Sequence, residues 1–74
     1  MAVRINPKDH LIWRALGSAF DKLFKHSYAI GCFKKALVVN PKHAPAWLSL
    51  GIAFRSMKQF DEAVKCYKKA LQFN

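Results

Sequence analysis

The chain has 74 residues, 53% of them apolar, with thirteen Lys and Arg against four acids and a formal net charge of +9. That length allows at most one small domain around a modest core and excludes a large enclosed active site. The apolar runs are too short for a membrane span and the start lacks the apolar core of a signal peptide, so a soluble protein of the reducing cytoplasm is expected.

In chain order, residues 1–8 read as the last turn of a helix stopped by Asn6-Pro7, because the residue before a proline avoids the helical region. A first helix is predicted from near Asp9, which can cap its amides, to Lys22. Its apolar stripe, at steps of three and four, is Ile12, Trp13, Leu16, Ala19, Phe20 and Leu23. After a turn around Lys25 and His26, a second helix is predicted over 27–39, with Ala29, Ile30, Phe33, Ala36 and Leu37 inward. Gly31 within it costs about 1 kcal/mol relative to alanine. Asn40-Pro41 ends this helix. A third begins near Ala44, with Pro45 in the first turn where its missing amide costs nothing; its stripe is Trp47, Leu50, Ala53, Phe54 and Met57. The last runs from Phe60 to Phe73, with Asp61 and Glu62 suited to the helix dipole.

These elements repeat. Trp13-x2-Leu16-Gly17-x2-Phe20, Ala29-x3-Phe33 and Ala36 return 34 residues later as Trp47, Leu50, Gly51, Phe54, Ala63, Tyr67 and Ala70. Ala19 recurs as Ala53, Cys32 as Cys66, Lys34-Lys35-Ala36-Leu37 as Lys68-Lys69-Ala70-Leu71, and Asn40 as Asn74. In period and anchors the chain resembles the tetratricopeptide repeat family. The resemblance implies an all-α fold of antiparallel helical hairpins stacked as a right-handed superhelix, a fragment of an α-solenoid. Residues 1–9 would be the tail of a preceding repeat, 10–43 a first repeat and 44–74 a second. Gly17 is expected opposite Ala29 and Gly51 opposite Ala63, where small residues let the helices of a hairpin approach closely. The first copy departs from the family at its turn, with Phe24 where a glycine is usual and His26 where an aromatic follows; either a distorted turn or an exposed Phe24 is expected.

No catalytic constellation is present. Ser18, Ser27, Ser49 and Ser56 lack a nucleophile motif, and there is no phosphate-binding glycine loop or paired carboxylate. Cys32 and Cys66 hold equivalent places in stacked helices about 8 to 10 Å apart, beyond the roughly 7 Å Cα reach of a disulfide, so free thiols are expected. His10, His26 and His43 form no zinc-like spacing with them, and no metal or cofactor is implied.

What remains is surface. In the family the first helices line a concave groove that holds a partner peptide. The residues left there after the core stripe is removed are Leu11, Arg14, Ser18, Asp21 and Lys22 in the first repeat, and Pro45, Leu48, Ile52, Arg55 and Ser56 in the second. Arg14 and Arg55 would flank the apolar Leu48 and Ile52, suiting an extended or helical peptide with acidic and apolar anchors. The family's carboxylate clamp for chaperone tails is not reproduced: Arg14 and Ser18 stand where it has Lys and Asn, Ser49 where it has another Asn, and its other cations come from a third repeat. On the convex side Lys34, Lys35, Lys65, Lys68 and Lys69 form a basic face that could hold a polyanion such as nucleic acid or an acidic surface, although no aromatics are interleaved to stack bases. Finally, arrays of this kind normally need about three repeats and a polar cap. Met57, Leu71 and Phe73 are expected on an uncovered end, through which copies would stack end to end or exchange hairpins.

Overall fold

A computed structural model describes residues 9–74, so the helical turn expected over residues 1–8 lies outside the described residues. Four helices follow one another: α1 (His10–Lys22), α2 (His26–Val39), α3 (Ala44–Ser56) and α4 (Phe60–Phe73). α1 packs on α2 and α3 on α4 as two hairpins; α2 joins them by packing against α3, and α1 meets α3 lightly. The second helix begins one residue earlier than the sequence predicts, at His26.

Local chemistry sets the ends. The Asp9 side chain accepts a hydrogen bond of 3.1 Å from the Leu11 amide, the cap its position suggests. Between α2 and α3 the Asn40-Pro41 corner is tied at three points. Asn40 Nδ2 donates to His10 Nε2 at 3.3 Å, Lys42 N donates to Asn40 Oδ1 at 3.3 Å, and Trp47 Nε1 donates to the Pro41 carbonyl at 2.7 Å. The corner therefore fixes the approach of one hairpin to the next.

The turn holding Phe24 is not distorted. Phe24 and Lys58 occupy the same place in the two hairpins at φ 60° and 62°, the left-handed conformation that glycine takes most cheaply. The same hydrogen bonds close both turns: Lys25 N to Phe20 O and Gln59 N to Phe54 O, each 2.9 Å. Phe24 is 84% exposed, so the chain accepts backbone strain and an exposed ring together.

The core lies between α2 and α3. Ala29, Phe33, Ala36 and Leu37 from α2 meet Ala46, Leu50, Ala53 and Phe54 from α3, with Ala63 and Cys66 from α4, while Trp13, Phe20, Trp47 and Tyr67 are partly buried around them. One expectation needs correction. Leu16 and Leu23 are 42% and 64% exposed, although their periodicity assigns them to the core. Among the described residues no helix packs on the outer side of α1, whereas α2 packs on α3, and this separates Leu16 from its buried counterpart Leu50. A Cβ on Gly17 would stand 2.7 Å from Cε1 of Phe33, and one on Gly51 2.7 Å from Cε1 of Tyr67, so each glycine makes room for the hairpin's own aromatic ring.

Candidate functional site

α1 and α3 run side by side on one surface, and their residues divide between two depressions. The first lies between the two helices and is lined by Ser18, Asp21 and Lys22 from α1, Ser49 and Ile52 from α3, and the Phe33 ring beneath. Four of the ten expected groove residues meet here. Ser49, outside the expected groove set, joins them because α1 and α3 lie close enough for it to border the same hollow. The second depression lies beside α3 and α4, where Pro45 and Leu48 meet Ala44, Tyr67, Ala70, Leu71 and Asn74. It is mostly apolar, and Leu48 and Leu71 are 48% and 75% exposed.

The other expected groove residues stand apart from both. Leu11 is 51% exposed on the first turn of α1. Arg55 and Ser56 are exposed at the end of α3, and the Ser56 hydroxyl donates to the Ile52 carbonyl at 3.1 Å, which occupies its hydrogen. Arg14 is half-buried, with its Nε enclosed and lacking a hydrogen-bond partner. It stands near His43, whose pKa is lowered by burial first and then by the charges of His10 and Arg14. The His10 and His43 rings pack edge to face with centroids 4.6 Å apart. Three nitrogen-bearing side chains are thus gathered where the two hairpins meet, which favours the neutral form of His43. Sequence spacing alone does not reveal this cluster, because His43 lies in the corner between repeats and has no periodic partner.

Asp21 has a second contact on its outer side. Nδ1 of His26 donates to Oδ1 of Asp21 at 2.5 Å, bridging the end of α1 to the start of α2. In the other hairpin the equivalent positions carry Arg55 and Phe60, both exposed. The carboxylate that lines the first depression is therefore held in place by the turn.

On the opposite surface Lys34, Lys35, Lys65, Lys68 and Lys69 are all exposed. Lys65 stands 3.5 Å from Glu62, and the Lys34 ammonium lies 5.7 Å from the centre of the Phe54 ring. Cys32 and Cys66 are free and buried. Burial raises both thiol pKa values, and Glu62 adds to the rise at Cys66, so neither has the thiolate character of a reactive cysteine. No group of three or more metal-ligating side chains occurs among the described residues, and no helix among them is long and apolar enough to cross a membrane.

Residues 44–74 match the family model of the tetratricopeptide repeat. Two crystal structures of MamA are similar to the chain over 92% of its length, both at 32% identity, with TM-scores of 0.88 and 0.86. The chain spans only 40% and 37% of those two proteins. No curated protein matches it.

Proposed function

Because this chain belongs to the tetratricopeptide repeat family, whose model matches residues 44–74, we propose that it is a protein-binding module that holds a partner peptide along α1 and α3. The observation that carries this reading is the hollow between those helices, where Ser18, Asp21, Lys22, Ser49 and Ile52 meet over the Phe33 ring. Hydroxyls and an ammonium beside an apolar floor suit a peptide that brings main-chain groups, an acidic side chain and an apolar anchor. Leu48 extends the apolar part along α3. The test is to select peptides from a displayed random library on the immobilised chain and measure them against Lys22→Glu plus Leu48→Ser. Both side chains are exposed, so the fold should persist. We expect sequences with acidic and apolar positions and a loss of about tenfold or more, which is about 1.4 kcal/mol. Unchanged affinity for every selected peptide would remove the groove from the function.

The five exposed lysines support a second reading, polyanion binding on the other face. A mixed-sequence oligonucleotide titrated at two salt concentrations should then bind at low salt and weaken steeply as salt rises; no binding at low salt ends that reading. The exposed Leu16 and Leu23 at one end and Leu71 at the other support a third, contact between copies. Light scattering should show mass rising with concentration, and more so in salt that screens the +9 charge. A monomer at every concentration and salt would exclude it.

A further inference from the structure

The second helices enclose a feature that the concave reading does not use. α2 and α4 flank α3 without their Cα atoms coming within 8 Å of each other, and a furrow of about 590 Å³ runs between them. Its floor is Trp47, Leu50 and Phe54 of α3, and Val38 borders it from α2. Val38 is 80% exposed, a β-branched side chain left in water beside an apolar floor. The rim is basic, with Lys34 on one wall and Lys65 and Lys69 on the other. Lys34 leans inward over the Phe54 ring. The one acid of the rim, Glu62, lies 3.5 Å from Lys65. Among the described residues Lys34 and Lys69 have no carboxylate partner.

We propose that this furrow docks an amphipathic acidic segment of a partner protein, its apolar side chains seated against Val38 and Trp47 and its carboxylates meeting Lys34, Lys65 and Lys69. Charge complementarity selects this occupant. A second copy of the chain carries the same +9 charge and only four acids, so it is repelled from a basic rim. A nucleic-acid backbone would be drawn to the lysines but gains nothing from an apolar floor, and Lys35 and Lys68 stand outside the furrow instead of continuing a track of cations. An amphipathic peptide uses both features at once, through the groove mode in which apolar anchors set the seat and rim charges set the orientation. The furrow lies on the other side of α3 from the proposed peptide groove, so either surface can fail without the other.

The experiment titrates the isotopically labelled chain with a short synthetic peptide that carries leucines at i, i+3, i+4 and i+7 and glutamates between them. A control peptide has lysine in place of every glutamate. The indole N–H of Trp47, fixed on the Pro41 carbonyl, is a reporter inside the furrow. We expect its resonance and the amides of Val38, Lys65 and Lys69 to move, and the control peptide to leave them still. Lys34→Glu plus Lys69→Glu should weaken the acidic peptide about tenfold or more, and Val38→Asn about three- to fivefold. Three results would overturn the proposal: no binding, movement confined to Ser18, Ser49 and Ile52, or Val38→Asn leaving affinity unchanged, which would reduce the furrow to a patch of charge.

Discussion

The two hairpins carry nearly the same pattern, yet equivalent residues meet different surroundings. Leu50 is 3% exposed and its counterpart Leu16 is 42% exposed; Leu37 is 8% exposed and its counterpart Leu71 is 75% exposed. In each pair the side chain and helical position are the same, and among the described residues the difference is whether a neighbouring hairpin packs against it. A stacked repeat therefore supplies a competent apolar face in advance of any partner, and burial is a property of the junction. The junction α2·α3 is the internal example of how such a face is covered.

The sharpest way to break the comparison is to truncate both members of a pair. Leu50→Ala should cost about 2 to 5 kcal/mol, as for a fully packed leucine, and Leu16→Ala about 1, because much of its surface is already in water. Urea unfolding of both variants measures the gap. Equal losses would mean that α1 is covered in solution.

The glycines give a smaller effect along the same line. Gly17→Ala would set a Cβ 2.7 Å from Phe33, a ring only 1% exposed. It should cost about 1 to 3 kcal/mol by overpacking. Gly51→Ala meets Tyr67 at the same 2.7 Å and Cys66 Cβ at 3.2 Å, and the Tyr67 hydroxyl is enclosed. Its cost should be similar, and thermal unfolding of the two variants checks both.

Protonation separates the hairpin junction from the rest of the fold. The lowered pKa of His43 means that the folded chain favours its neutral form, so the unfolded chain binds more protons once the pH falls below the ordinary histidine value of about 6.5. Stability from this group is complete above that pH and is lost as the pH drops through the folded value. The raised pKa values of Cys32 and Cys66 act at the other end, removing stability as the pH rises past the ordinary thiol value of about 8.5. The urea midpoint should lose the His43 contribution on the acid side and that of the thiols on the alkaline side. His43→Gln should lessen the acid loss and leave the alkaline one in place.

Much of this was legible in the sequence, for reasons that can be traced to residues. The 34-residue return of Trp13, Gly17 and Ala29 identified hairpins, and Asn40-Pro41 marked where one ends, since both signals are local in the chain. Leu16 and Leu23 were misplaced because periodicity reports which face of a helix is apolar, not whether anything lies against it. The nearness of the Phe33 ring to Gly17 was not legible, because it depends on how far a side chain reaches across the hairpin. The convex furrow was not legible, as its floor comes from α3 and its walls from α2 and α4, and the lysines alone gave only its charge.

The smallest expected effects lie in single backbone positions. Gly31 sits exposed within α2 with nothing within 4 Å of where a Cβ would be, so Gly31→Ala should stabilise by about 1 kcal/mol without a new contact. The turns offer a matched pair. Phe24 and Lys58 share the left-handed conformation at φ 60° and 62°, which costs an L-residue about 1 to 2 kcal/mol. Glycine removes that strain but has more freedom to lose on folding, leaving a net gain of about 0.5 to 1 kcal/mol at either site. Because the hydrogen bonds closing both turns are alike, Phe24→Gly and Lys58→Gly should stabilise by nearly the same amount. The Phe24 ring makes one difference, standing edge-on to His26 with centroids 6.2 Å apart, and that weak contact is lost only in the first variant. A gain from Lys58→Gly with a loss from Phe24→Gly, in parallel thermal melts, would show that the exposed ring contributes more to the first hairpin than its backbone strain takes away.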